Sequence, residues 1–324
     1  MNEINKYSDQ IDNALKDIII PDDPSSLYEP IRYTINSRGK RLRPVITLMG
    51  CDLFDGQISK ALPAAIGMEI FHNFTLLHDD IMDESPMRRG QPSVYKKWGV
   101  NTAILSGDTM FVYANEQICK TDQRHLKQVF DIFNLVARKV CEGQQYDMDF
   151  ENNSEVSIAD YIRMIRLKTA ILIAGSLKIG AIIAGASEAD QEKIFQFGEF
   201  IGIAFQLQDD YLDAFGSEDV VGKTLGNDII TNKKTYLYLK AMEIATGNTK
   251  KTLEQTYVSN NEDPAQKVKV IRKIFKQLEI DKLAREEMNK YFHLANKNLE
   301  EIDVADERKS DLRNFARKLE DRNH

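Results

Sequence analysis

Seventeen glycines and eight prolines are all the strong helix breakers in this 324-residue chain, about 8% of positions where average usage supplies roughly 12%. A chain so poor in breakers favours long, uninterrupted elements, and its apolar residues recur with a helical period. Ile11, Leu15, Ile18 and Ile19 fall at i, i+4, i+7 and i+8 ahead of Pro21, which predicts a first helix with the proline as its stop. Pro44 suits the first turn of a helix over 45–52. A long apolar pattern over 61–83 ends at Ser85 and Pro86. Further helical patterns cover 101–118, 123–145, 157–186, 189–211, 232–245, 264–277, 281–301 and 307–322, and Ser157 with Asp160 reads as a capping box. No alternating β-branched run long enough for a sheet exists. Two loops rich in glycine and basic residues, 86–92 and 215–234, stand between these patterns. With no fixed-period repeat or linker, the expectation is one large all-α domain over 1–324.

Charge and cysteine usage narrow the function. The chain carries 43 Lys+Arg against 50 Asp+Glu, a formal net charge of −7, so no basic field exists to meet a nucleic-acid backbone. Cys51, Cys119 and Cys141 are widely spaced and odd in number, which fits free thiols in a reducing compartment. The N-terminus has no basic start followed by an apolar core, so no signal peptide is expected. The most apolar stretch, 170–186, is interrupted by Lys178 and three glycines and reads as a buried helix rather than a membrane span. A cytoplasmic, soluble protein is the expectation.

Two acidic triplets carry the chemistry. Asp79, Asp80 and Asp83 end the 61–83 pattern, and Asp209, Asp210 and Asp213 end the 189–211 pattern. On a helix, Asp79 and Asp83 lie one turn apart, as do Asp209 and Asp213. Gln206, Asp209, Asp210 and Asp213 form a single i, i+3, i+4, i+7 stripe. Carboxylates at helix C-termini oppose the macrodipole and repel one another unless cations intervene. Oxygen-only donors of this kind suit Mg²⁺, which takes one or two carboxylates together with water and substrate phosphates.

Basic residues stand close to both triplets in the sequence. Gly39, Lys40, Arg41 and Arg43 precede a helix start, Arg88 and Arg89 follow the first triplet, and Lys223 and Lys233 flank the loop after the second. Lys168 sits in an otherwise apolar region. Arginine forks and lysine point charges are the usual phosphate ligands. His72 precedes Asp79 by two helical turns and shares its face. Metal-binding carboxylates with two sets of cations describe a site for polyphosphorylated substrates.

In these segments the chain resembles the short-chain trans-polyprenyl diphosphate synthases, most like those making geranylgeranyl and farnesyl diphosphate. The matching residues are Gly39 to Pro44, Glu69 with His72, Leu77 to Asp83, Arg88 to Pro92, Gly107-Asp108, Gly143-Gln144, Lys168-Thr169, Phe205 to Asp213, and Gly222-Lys223 through Asp228 to Lys233. The resemblance implies an isoprenoid-synthase-type helical bundle around a deep central cavity, and a homodimer. Asp79, Asp80, Asp83, Asp209, Asp210 and Asp213 would hold three Mg²⁺ ions on an allylic diphosphate. Arg88, Lys168, Lys223 and Lys233 would bind that diphosphate. Gly39, Lys40, Arg43, His72 and Arg89 would bind isopentenyl diphosphate, with Thr169 and Gln206 near the reacting carbon. The implied reaction is ionisation of dimethylallyl, geranyl or farnesyl diphosphate, attack by the isopentenyl double bond, and loss of a proton to the released pyrophosphate.

The resemblance assigns product length to Phe71, Phe74 and Thr75, upstream of Asp79. An aromatic at Phe74 with a small neighbour and no insertion in the first triplet is the C20 pattern, geranylgeranyl diphosphate, with C15 as the next expectation. On an ideal helix, however, Phe74 lies about 140° from Asp79, so only the resemblance puts it at the cavity floor. Arg322, near the C-terminus, receives no role. Class I terpene cyclases share the metal logic but generally replace the second triplet with an Asn/Ser/Glu motif. His78-Asp79 resembles the metal doublet of helical HD phosphohydrolases, which need further histidines and aspartates at set places, and the chain has only five histidines in all. Non-catalytic partners of heteromeric synthases usually lose one acidic motif, and here both are intact.

Overall fold

The structure is a computed structural model in which residues 2–37, 39–153, 155–216, 226–258 and 263–321 are described. Helices account for nearly all of their regular structure. The chain forms two compact units, each built from separated segments. The first comprises Met1–Ala137, Gly175–Phe195 and Asp303–Asp311, and the second Arg138–Ala174, Gln196–Ile302 and Leu312–His324.

In the first unit the N-terminal helices are α1 (Asn2–Lys16), α2 (Ser25–Asn36), α3 (Leu42–Leu53) and α4 (Ile58–Met82). A short hairpin of β1 (Met87–Arg88) and β2 (Gln91–Pro92) leads to α5 (Val94–Trp98), α6 (Val100–Ile118) and α7 (Gln123–Asn152). Helix α4 packs chiefly on α3 and α6. Its buried face is built from small residues, with Ala61, Ala64, Ala65 and Gly67 all buried, so neighbouring backbones come close. The same device holds α3 against the glycine-bearing stretch of α9 (Ile171–Ala184). A Cβ on Gly50 would lie 2.4 Å from the Leu177 carbonyl oxygen, and one on Gly180 only 2.0 Å from the Thr47 carbonyl oxygen.

The second unit carries α8 (Ile158–Ile165), α10 (Glu188–Phe215), α11 (Asn227–Ile230) and α12 (Tyr236–Ile244), followed by α13 (Gly247–Val258), α14 (Pro264–Gln277), α15 (Ile280–Glu300) and α16 (Ser310–Glu320). Helices α7, α9 and α10 have residues in both units. The capping box at the start of α8 forms as expected: Ser157 Oγ accepts from the Asp160 N–H, and the Asp160 carboxylate accepts from the Ser157 N–H at 3.1 Å.

Several local expectations change. The pattern over 157–186 is not one α-helix, because residues Arg166–Ala170 form a π turn between α8 and α9. There α7 presses closely on the widened turn, since a Cβ on Gly143 would sit 2.3 Å from the Lys168 backbone nitrogen. The first helix stops at Lys16, and Ile19 lies outside it, 88% exposed. Helices α2 and α13 were not anticipated, and the basic loop 86–92 is a hairpin. Its two-residue turn, Arg89-Gly90, has φ of 52° and 77°, the left-handed pair that matches strand twist in a type I′ turn. The helical run Ile158–Ala184 is apolar and long enough to cross a membrane, yet 78% of its most apolar window is buried within the protein. Cys51 is buried, Cys119 and Cys141 are exposed, and none of the three forms a disulfide.

Gly180→Ala should lower stability by about 1–3 kcal/mol, because backbone rather than a movable side chain occupies the space. Chemical denaturation measures this, and an unchanged midpoint would show that the helices can part without cost.

Candidate active site

In the first unit the C-terminal turn of α4 presents the first acidic triplet. Asp80 is buried, Asp79 is half-buried, and Asp83 is the exposed C-cap residue. The hairpin returns Arg88 to Asp80, whose Oδ1 accepts from both Arg88 Nε (2.9 Å) and Nη2. Burial nonetheless holds the Asp80 carboxyl above its usual range, with Asp83 adding to the rise. Arg88, expected to bind diphosphate, thus stands as the counter-charge of a metal-type carboxylate.

Two turns nearer the N-terminus of α4 the environment is positive. His72 is pushed well below the ordinary imidazole range, first by burial and then by Arg43, Arg89, Arg88 and Arg41 around it. Lys40 is exposed and Arg43 half-buried. Gly39 is where it must be small, because a Cβ there would lie 2.8 Å from the Arg89 guanidinium carbon. A cavity of about 30 Å³ beside this cluster is lined by residues including Ser37, Asn73, Asp80, Arg88 and Arg89. Gly39, Arg43, His72 and Arg89, four of the five residues that the resemblance implies for isopentenyl diphosphate, are therefore gathered around one electropositive spot.

Phe71 and Phe74 belong to a four-ring cluster. Phe74 packs against Phe71 (5.6 Å between centroids), Phe111 (5.5 Å) and His78 (4.7 Å), and Phe133 closes the cluster against Phe71 and Phe111. Phe71 and Phe133 are fully buried, and Phe74 is half-buried. Thr75 Oγ1 donates to the His72 carbonyl at 2.8 Å. His78 Nε2 lies 3.2 Å from the Ile104 carbonyl oxygen of α6, a helix-packing role that speaks against the phosphohydrolase-type metal doublet.

In the second unit Asp209, Asp210 and Asp213 lie near the end of α10. A chain of hydrogen bonds runs from Thr169 Oγ1 to Gln206 Oε1 (3.1 Å) and from Gln206 Nε2 to Asp210 Oδ1 (3.0 Å), while Tyr161 Oη donates to Asp210 Oδ2. Burial, with Asp228 and Asp209 adding repulsion, raises the Asp210 carboxyl well above its usual range, and burial beside Asp210 raises the Tyr161 hydroxyl. A bound cation would oppose both shifts. Asp213 accepts from the N–H groups of Asn227 (3.2 Å) and Asp228 (3.0 Å), so it also caps α11. Lys168 Nζ reaches Asp147 Oδ2 of α7 at 2.5 Å, from within the π turn. Lys233 is exposed, and its carbonyl accepts from Tyr257 Oη. Lys223 and Arg322 lie outside the described residues.

Among the described residues, no three carboxylate, imidazole or thiol groups converge to hold an ion unaided. The donor set fits a hard cation that takes one or two carboxylates and completes its shell with water and phosphate oxygens. A surface depression of about 610 Å³ along the basic face of α14 includes none of the predicted site residues. Sequence reasoning missed Tyr161, Asp147 and Arg41 as partners of these side chains. Tyr161 could have been suspected only as a polar group on an otherwise apolar face of α8, and Arg41 only as one of the cations before α3.

Comparison with known proteins agrees with this geometry. The family model described as polyprenyl synthetase matches residues 24–275. A geranylgeranyl diphosphate synthase of Methanosarcina mazei is 38% identical over 263 residues, covering 79% of this chain and 81% of its own. A geranylgeranyl pyrophosphate synthase of Geoglobus acetivorans is 37% identical, covering 92% of each chain. A solved geranylgeranyl pyrophosphate synthase superposes with a TM-score of 0.94 at 41% identity over 99% of both chains. Another, from Corynebacterium glutamicum at 26% identity with a TM-score of 0.83 over 99% and 97% of the two chains, is complexed with isoprenyl diphosphate and magnesium. The chain thus belongs to the polyprenyl synthetase family of prenyl-transfer enzymes.

Proposed function

We propose that the chain condenses isopentenyl diphosphate with allylic diphosphates to give geranylgeranyl diphosphate. The observation that carries this reading is the pair of complete acidic triplets, each embedded in the partners described above, in a chain whose close relatives are named for that product. The family model runs without a break across segments of both units, which supports treating 1–324 as one catalytic domain.

Each residue set has a physical task. Asp79, Asp80 and Asp83, with Asp209, Asp210 and Asp213, would ligate Mg²⁺, and the count of three ions belongs to this reading. Bound Mg²⁺ supplies Lewis-acid stabilisation of the departing diphosphate. Arg88, Lys168, Lys223 and Lys233 neutralise the same leaving group. Arg88 must then exchange its bond to Asp80 for one to phosphate, and Lys168 its bond to Asp147. Thr169 and Gln206, already linked through hydrogen bonds to Asp210, would set the polar edge of the reacting region. Gly39, Lys40, Arg43, His72 and Arg89 would hold isopentenyl diphosphate with its double bond facing the allylic carbon. Proton loss needs no enzyme base, since the released pyrophosphate is basic enough and close enough. Phe74, backed by Phe71, Phe111 and Phe133, would stop the growing chain, with Thr75 leaving room beside it. The protein would act in the cytoplasm, without membrane insertion.

A homodimer is part of the same reading. Helix α6 exposes Leu105 (60%) and Val112 (55%) two turns apart on one face, with Ile104 (40%) beside them. Large aliphatic side chains in a row on an otherwise charged surface suit a second copy of the same chain.

Purified protein with Mg²⁺, isopentenyl diphosphate and each of the three allylic starters should give a ladder ending at C20 by mass spectrometry, and Phe74→Ala should extend it. A stop at C15 would keep the chemistry and discard the assigned floor, whereas cyclised hydrocarbon would overturn the transferase reading. Leu105→Glu combined with Val112→Glu should convert a dimer to a monomer in light scattering; an unchanged mass removes α6 from the interface.

The depressed His72 pKa gives a pH prediction. Its imidazole should remain neutral through pH 7 and 6 by NMR, and inorganic pyrophosphate should raise its pKa. Because the folded value is the lower one, its contribution to stability is complete above the ordinary imidazole range near pH 6.5 and lost as pH falls below it.

A further inference from the structure

Two arginines with left-handed backbone are tied together through α4 in a closed ring of hydrogen bonds. Arg41, at φ 46°, donates from Nη1 to Glu69 Oε1 at 2.9 Å, and Arg89, at φ 52°, donates from Nη1 to Asn73 Oδ1 at 3.4 Å. Asn73 Nδ2 joins them, donating to Glu69 Oε1 at 3.0 Å. Ser37 closes the ring on the far side: its Oγ accepts from Arg89 at 3.0 Å and its carbonyl from Arg41 Nη2 at 3.1 Å. Glu69 and Asn73 are 1% and 2% exposed, so this is an interior network on a rigid helix rather than surface pairing. Non-glycine residues rarely adopt such backbone angles, and two facing one network need neighbours that hold them there.

We infer that Glu69 and Asn73 are positioning residues for isopentenyl diphosphate, acting through Arg41 and Arg89. Arg41 is flanked by Lys40 and followed by Arg43, so fixing its guanidinium to Glu69 fixes the segment that carries both cations. Asn73 aims Arg89 with its acceptor oxygen while its donor side is held by Glu69. Glu69 thus serves as the buried anionic anchor of Arg41, which also lies 4.0 Å from the exposed Asp12 carboxylate, and keeps Arg41 from competing for the substrate's phosphates. None of Asp79, Asp80 and Asp83 takes part in these hydrogen bonds, so the network should act on one substrate and not the other. The inference rests on the assignment of Lys40, Arg43, His72 and Arg89 to isopentenyl diphosphate.

Steady-state kinetics of Asn73→Ala, Ser37→Ala and Arg89→Ala test both levels. Losing a hydrogen bond to a charged group is worth about tenfold or more in affinity. Asn73→Ala should raise KM for isopentenyl diphosphate by about that factor, with KM for the allylic diphosphate changed less than about twofold. Ser37→Ala, at the half-buried C-cap of α2, should give a smaller shift of the same selectivity. If Arg89→Ala raises KM for isopentenyl diphosphate while folded Asn73→Ala and Ser37→Ala leave it unchanged, the positioning role is wrong and the substrate assignment stands. If Arg89→Ala has no selective effect either, the assignment itself fails. A rise of both KM values together in Asn73→Ala and Ser37→Ala would mark a structural role and overturn the inference.

Discussion

A carboxylate buried at the end of an apolar helix has to be met by a cation or by hydrogen-bond donors, because desolvation otherwise returns it to its neutral form. Much of the local architecture answers that demand. Asp80 is met by the fork of Arg88, which requires a hairpin with a tight left-handed turn to bring the arginine back. Asp210 is met by a phenol and an amide, which require α8 to lie within reach of α10. Asp213 is met by two backbone N–H groups, which fix where α11 starts. Glu69 is met by Arg41 and Asn73, and in meeting them it sets the backbone of the loop before α3.

These answers differ in how easily they can be withdrawn. Arg88 is a third exposed and on a short hairpin, so in the proposed reaction it could turn from Asp80 to a phosphate once a metal cation meets the buried carboxylate in its place. The partners of Asp210 are buried and belong to a chain of polar groups that share donors and acceptors. The first triplet can therefore exchange its counter-charge on binding, whereas the second holds its most buried member in place. For an enzyme that must separate charge in the allylic substrate without offering water to it, a fixed set of dipoles is more useful than a mobile one.

Much of this was legible in the sequence where the signal is local. The scarcity of breakers, the apolar period of α4 and α10, the capping box at Ser157 and both acidic triplets are read within a single helix. Helix α2 escaped because Pro30 lies inside it and its first turn has no acidic residue, and α13 because it is polar and begins at a glycine. The π turn at Arg166–Ala170 leaves the apolar pattern intact, so periodicity runs straight through it. Partners such as Tyr161, Asp147 and Arg41 depend on other helices reaching them, and one sequence holds no record of that. The four arginines that depress the His72 pKa come from two separate segments, the start of α3 and the hairpin after α4, which no reading of α4 alone brings to it.

The π turn has a consequence for how such a site can be kept or lost. A wide turn contains about one residue more than an α-turn over the same rise, so the helix faces before and after it differ by about 100°. Lys168 and Thr169 sit inside that offset, with Tyr161 on one side of it and the tightly packed glycines of α9 on the other. Deleting a single residue there would leave a continuous, well-formed helix and every motif intact in composition. It would nonetheless rotate one half of the site's helix away from the other, which makes this turn a point where a change too small to disturb folding can silence a whole set of side chains.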